Sequence, residues 1–216
     1  MPNEVGNACV VLVHGLWMNA AALLMLQKRL HECGYRVVRF GYPTVRAGLK
    51  ENAARLSRVL KSLQTGRIHI VAHSLGGLVT LHALELNPEP RVRRIVLLGS
   101  PVAGSLTGRR LAQFRAGRLI MGASSGLWEE RHSVEAPDGV EVGIVAGTLP
   151  IGLGYLVGRL PRPHDGAVSV AETRLDNAVD TILMRVSHSA MLFSGDVGRQ
   201  VCHFLEHARF DHDGAG

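Results

Sequence analysis

Ile68-His69-Ile70-Val71-Ala72-His73-Ser74-Leu75-Gly76-Gly77 is the stretch whose reading decides the fold. Ile68 to Ala72 is a short apolar run rich in branched residues, the pattern of a strand buried on both faces. The residues after Gly77 read as an apolar helix reaching about Leu86. A serine between a strand and a helix that close must sit on a sharp, strained turn. Its flanking positions must then be small, because strand and helix backbones approach closely. Ala72 and Gly76 hold those places, and Gly77 gives further room. The pattern is that of a nucleophile elbow, G-x-S-x-G, with alanine in the first small position. Such a turn lifts the Ser74 hydroxyl above the sheet. It also sets the N-terminus of the following helix, with its unpaired N–H groups and favourable dipole, beneath a reacting centre. Taken alone, the residues also fit an ordinary tight turn capped by serine.

Outward from this turn, strands and helices alternate. Ala8 to Val13 is a continuous apolar run and reads as the first strand. A helix fits Asn19 to Cys33, with leucines at helical spacing and Gly34 as the stop. Arg36 to Phe40 is the second strand, and Gly48 to Leu63 is an amphipathic helix. After the central strand, further strands are expected at Val92 to Leu98, Val140 to Ala146 and Val179 to Val186, with a last helix from Gly195 to about Ala208. This alternation predicts an α/β fold: a mostly parallel six-stranded sheet with right-handed crossovers and helices on both faces, in a single domain. Two segments break the rhythm. Residues 104–138 are irregular with one Arg-rich helical stretch, and residues 148–164 are rich in Gly and Pro. Both leave from strand C-terminal ends, where open parallel sheets bind ligands, so they are expected to line or cap a pocket.

Composition narrows the function classes. With 216 residues, 46% of them hydrophobic and 19% charged, the chain can bury one core. The net charge of +6 raises nucleic acid as a partner, but the arginines are scattered and not interleaved with aromatics, so none is expected. No run reaches the roughly 18 apolar residues of a spanning helix, so stable membrane insertion is not expected either. Met1-Pro2-Asn3-Glu4 shows neither a basic region nor a cleavage site, which makes the cytoplasm the default location. Cys9, Cys33 and Cys202 are odd in number and widely spaced. They read as small buried hydrophobes and not as a disulfide framework. No metal-ligand spacing, phosphate loop or dinucleotide fingerprint occurs, so no cofactor is expected. The oligomeric state is left open.

Val10-Val11-Leu12-Val13-His14-Gly15-Leu16-Trp17, followed by Ile70-Val71-Ala72-His73-Ser74-Leu75-Gly76-Gly77-Leu78-Val79, resembles the α/β-hydrolase superfamily, in particular compact bacterial lipases and esterases. The order of elements extends the resemblance over nearly the whole chain, although the specific motifs cover far less of it. Relative to the fuller family pattern the two leading antiparallel strands are missing, which implies a minimal six-stranded sheet. The resemblance implies a serine hydrolase that cleaves a small-molecule or lipid ester. Its oxyanion hole would use the backbone N–H groups of Leu16 and Leu75. His14, at the end of the first strand, suits a structural role better than that of a base. Trp17 is a candidate substrate contact. Gly99 to Ser105 would line the pocket.

In this fold the acid and the base follow the serine in the order Asp or Glu, then His. Of six histidines after the fourth strand, only His188 directly follows a strand. Asp165, in His164-Asp165-Gly166-Ala167-Val168, resembles the acid loop of related lipases. Its glycine permits the turn, and Val168 could anchor it. Asp138, Asp176 and Asp180 fall at the wrong strand ends. Ser74, Asp165 and His188 are therefore the expected catalytic triad. Leu127, Trp128, Ile151, Leu153, Tyr155 and Leu156 are candidates for an apolar pocket or for plain core packing. Two other readings stand beside ester hydrolysis: an acyltransferase or thioesterase on the same triad, and a non-catalytic binding module.

Overall fold

The computed structural model describes residues 8–126, 135–152 and 158–213. Six strands form one sheet: β1 (Ala8–Val13), β2 (Arg36–Phe40), β3 (Arg67–His73), β4 (Val92–Leu98), β5 (Glu141–Gly147) and β6 (Asp180–Met184). Their order across the sheet is β2-β1-β3-β4-β5-β6, and every pairing is parallel. The chain direction across the sheet reverses between β1 and β3. That is the switch point at which open sheets of this kind leave a crevice outside their strand C-termini.

Helices cover both faces because β1 is apolar at every position and alternates its side chains across the sheet. Val11 and Val13 pack under α2 (Leu49–Ser62) and α3 (Leu75–Leu86). Val10 and Leu12 pack under α1 (Leu24–Glu32) and α6 (Gly195–His207). Gly34, at φ 87°, ends α1, and its N–H donates to the His31 carbonyl. The helix expected from Asn19 begins as a 3₁₀ turn over Ala20–Leu23, capped by the Asn19 side chain.

Among its described residues, the irregular segment after β4 holds two short α-helices where one helical stretch was expected, α4 (Leu106–Gln113) and α5 (Arg115–Met121). Phe114 is extended between them. Gly117 lets the second fold back, since a Cβ there would run into the Leu111 backbone. α4 braces the loop that follows β5. Thr107 Oγ1 donates to the Ala167 carbonyl at 2.7 Å, and the Glu172 carboxylate accepts from the N–H of both Leu106 and Ser169. Of the apolar candidates for a pocket, Ile151 is exposed. Leu127, Trp128, Leu153, Tyr155 and Leu156 lie outside the described residues.

The cysteine expectation is corrected in part. Cys9 is a buried free thiol, as expected, but Cys33 and Cys202 form a disulfide with their Cα atoms 6.4 Å apart. The residues are 169 positions apart and meet because the C-terminal end of α1 packs beside α6, a juxtaposition that spacing along the chain does not reveal. Disulfides persist in oxidising compartments and are rare in the cytosol, so the Cys33–Cys202 bond stands against the cytoplasmic default that the N-terminal residues suggest. Among the described residues no helix is long and apolar enough to cross a membrane. Closing a loop of 169 residues is worth up to about 5 kcal/mol in the chain-entropy account. Reduction, or replacement of both cysteines by alanine, is therefore expected to lower Tm by on the order of 10 °C. An unchanged Tm under dithiothreitol would contradict this.

Candidate active site

β3 delivers Ser74 into a conformation that few non-glycine residues adopt, φ 55° and ψ −125°. Three glycines make room for it. A Cβ on Gly15 would stand 2.9 Å from the Ser74 Cβ, and one on Gly76 would stand 2.7 Å from the Val13 and His14 carbonyl oxygens. A Cβ on Gly77 would collide with the Ser100 side chain. The turn is tied down by the Ser74 N–H, which donates to the Leu98 carbonyl, and by the Gly77 N–H, which donates to the Ser74 carbonyl. Leu75 opens α3, so its N–H is one of the first-turn donors without an intrahelical acceptor.

The three residues expected to act together do meet. The Ser74 hydroxyl donates to His188 Nε2 at 2.9 Å, and His188 Nδ1–H donates to Asp165 Oδ2 at 2.7 Å. Asp165 is 1% exposed, out of reach of competing water. Its other oxygen accepts the N–H groups of Ala167 at 2.9 Å and Val168 at 2.7 Å. This is the turn that the Asp-Gly pair allows, with Gly166 at φ 96° and Val168 buried. The carboxylate is therefore fixed from the backbone side and presents one oxygen to the imidazole. Asp180, one of the carboxylates set aside, binds Phe210 N–H and His212 at the far edge of the sheet.

Two further glycines belong to this arrangement and were not anticipated in that role. Gly99, at φ +55°, follows β4, and a Cβ on it would lie 2.9 Å from Asp165 Oδ2 and 3.1 Å from His188 Nδ1. Gly147 ends β5, and a Cβ there would lie 2.7 Å from the Asp165 Cβ. Each stands at a strand exit, as Gly15 does after β1. That shared placement is the signal in the sequence that could have found them.

The loop after β1 is held from two sides. The His14 ring stacks on Tyr42, with centroids 4.5 Å apart. Its Nδ1–H donates to the Gly15 carbonyl at 3.0 Å, and its Nε2 faces the Tyr42 N–H at 3.4 Å. Tyr42 in turn donates its hydroxyl to the His14 carbonyl at 2.7 Å. Burial lowers the His14 pKa, which keeps the ring neutral for these bonds. His14 thus braces the loop and makes no contact with Ser74 among these bonds. Leu16 is half-buried against the core under α3. Trp17, at φ 59°, donates its N–H to Thr44 Oγ1 at 3.2 Å. Its indole N–H donates to the Ile120 carbonyl at 3.0 Å while the ring is 46% exposed. It therefore links this loop to α5 at the surface. Among the described residues no group of His, Cys, Asp and Glu side chains is placed to hold a metal ion.

A sequence model of the alpha/beta hydrolase family matches residues 10–200, and the chain belongs to that family. No curated protein matches the chain by sequence. Its fold is similar to that of the mature lipase BlEst2 of Bacillus licheniformis, at 18% identity and a TM-score of 0.74, with 96% of this chain and 94% of that one covered. It is also similar to the metagenomic carboxyl esterase MGS0156, at 17% identity and a TM-score of 0.63, covering 86% and 65% of the two chains. A third likeness is to an extracellular alpha/beta-hydrolase from a Paenibacillus species, at 13% identity and a TM-score of 0.63, covering 93% and 98%. At these identities the likeness is one of fold: an alpha/beta hydrolase with lipases and esterases among its structural neighbours.

Burial has a consequence for stability. It brings the His69 pKa down to about 4, with Arg94, Arg67 and Arg93 adding to the effect. It brings that of His73 down to about 3. An unfolded histidine titrates near 6.5. Below that pH the unfolded chain takes up protons that the folded chain refuses, so stability is full above about pH 7 and falls as the pH drops toward 4. At pH 5.5 each of the two buried rings costs on the order of 1 kcal/mol, with His14 acting in the same direction. Tm should therefore fall steadily between pH 7 and pH 5, and His69→Phe should make the fall shallower. A Tm independent of pH over that range would contradict the assignment of neutral buried rings.

Proposed function

We propose that the chain is a carboxylic ester hydrolase of the esterase or lipase kind, working through an acyl-enzyme on Ser74. The observation that carries this reading is the unbroken line of hydrogen bonds from Ser74 Oγ through His188 to the buried carboxylate of Asp165. A serine hydroxyl is a weak nucleophile near neutral pH and needs an oriented base within hydrogen-bond reach. His188 fits that part, and Asp165 fixes its tautomer and offsets the imidazolium that forms.

In the first half of the reaction His188 Nε2 takes the hydroxyl proton as Ser74 Oγ bonds to the ester carbonyl carbon. The carbonyl electron pair moves onto oxygen. The N–H groups of Leu16 and Leu75 are the donors for that oxyanion, one after the Gly15 turn and one at the start of α3. Collapse of the intermediate breaks the bond to the alkoxy oxygen, which leaves as alcohol with the proton held on His188. In the second half water loses a proton to His188, attacks the acyl carbon and releases the acid, and Ser74 recovers its proton. Trp17, half-exposed beside Leu16, forms part of the wall met by a small-molecule or lipid ester. The described residues that follow β4 and β5 leave from the same strand ends and supply further wall.

Ser74→Ala should abolish hydrolysis of p-nitrophenyl butyrate, with a loss on the order of a million-fold if the three residues act as a unit. Comparable turnover by parent and variant would overturn the reading. A second variant probes the geometry without touching a reacting group. Gly99→Ala should lower kcat/KM by about 10- to 100-fold, because the added methyl displaces the acid and the base. Its stability cost should stay near 1–2 kcal/mol. Parent-like kcat/KM in a folded Gly99→Ala protein would show that this close approach does not matter.

A further inference from the structure

His73 precedes Ser74 and has no part in the steps above, yet it is 1% exposed at the end of the central strand. Its Nε2–H donates to the backbone carbonyl of His188 at 2.9 Å. The N–H of His188 donates to the backbone carbonyl of Asp165, also at 2.9 Å. Both peptide groups flanking the proposed base are therefore anchored. One is held by the residue that supplies the acid and the other by the residue beside the nucleophile. The His73 ring also packs against the His188 ring, with centroids 4.7 Å apart and planes tilted by 46°.

Stability alone gives a poor account of this histidine. Its Nδ1 is buried with no hydrogen-bond partner among the described residues, beside the position a Gly15 Cβ would take. An orphaned buried acceptor is a net cost. Val71, two residues earlier on the same face of β3, shows that this face accepts an aliphatic side chain without such a cost.

We propose that His73 is a positioning residue: by holding the His188 carbonyl, it fixes the loop that presents the His188 ring to Ser74. This rests on the reading of Ser74, His188 and Asp165 as a triad. The strand that fixes His73 is paired on both sides, by β1 and by β4. The loop bearing His188 leaves the edge strand β6, so the bond ties an edge loop to the most constrained part of the sheet. Nε2 donates in the Nε2–H tautomer of the neutral ring, the tautomer that the bond to the His188 carbonyl selects, and burial together with the neighbouring His188 keeps the ring in its neutral form. The other titratable groups around it are Asp165 and His14. The Nε2–H donor therefore persists while His188 gains and loses its proton.

Two variants and one measurement on the parent protein test this. His73→Leu removes the donor. His73→Gln returns an amide N–H close to the place of Nε2. His73→Leu should lower kcat for p-nitrophenyl butyrate by about 10- to 100-fold, the range for a reacting group displaced by up to an ångström. KM should stay within about two-fold. His73→Gln should recover kcat to within about three-fold of the parent. A merely structural residue would give two variants that lose activity in step with their Tm, and that result overturns the proposal. So does unchanged kcat in His73→Leu. In the parent protein labelled with ¹⁵N-histidine, the His73 ring should keep a slowly exchanging Nε2–H from pH 8 to pH 5. A His73 ring protonated at Nδ1 alone overturns the proposal without any variant having to fold. Activity surviving in Ser74→Ala would mark failure of the triad reading. Activity lost in Ser74→Ala but intact in His73→Leu would mark failure of the His73 role alone.

Discussion

Ser74 holds a backbone conformation that an L side chain resists, and the strand exits are arranged around that constraint. A serine at φ 55° persists only where its surroundings leave no relaxed alternative. Here the surroundings are backbone. The end of β1 presses on Gly76 and Ser74 lies against Gly15, while the Leu98 carbonyl at the end of β4 accepts the Ser74 N–H. The strain is local, and the parallel sheet that holds it extends across all six strands. One consequence is chemical. A hydroxyl raised above the strand ends can be reached from loops that arrive from other strands, and those loops carry His188 and Asp165.

Much of this was legible because it depends on short-range patterns. An apolar strand, a small residue, a serine and two glycines before an apolar helix fix the turn locally. Once the strands are ordered along the chain, all their C-terminal ends must fall on one edge. His188 stands out by that reasoning, and Asp165 by the likeness of its loop to the acid loop of related lipases. Their side chains meet as the order of elements required, and Gly166 and Val168 take the turn and anchor places expected of them. His14 was expected to hold its loop, and its ring does so through Gly15 and Tyr42.

What escaped the sequence depends on contacts between distant segments. The Cys33–Cys202 bond needs the packing of α1 on α6, and both cysteines looked like any small apolar residue. The break at Phe114 that makes two helices after β4 comes from Gly117 meeting the Leu111 backbone, a tertiary contact within an apparently continuous pattern. Gly99 and Gly147 read as ordinary strand-end glycines until the acid and base are placed against them. In the sequence His73 shows as part of the turn motif and, beside His69, as a histidine without metal-ligand spacing. Its partner, the carbonyl of His188, is a backbone atom and leaves no trace in the sequence.

On the proposed function, Ser74 is the serine that its surroundings make nucleophilic. Intact-protein mass spectrometry after treatment with a fluorophosphonate reads this directly, because the reagent reports the reactivity of the hydroxyl whatever the natural substrate is. A single adduct is expected, mapped by peptide digestion to Ser74 and absent when His188 is replaced by alanine. No adduct on the folded protein, or an adduct on a different serine, would contradict it.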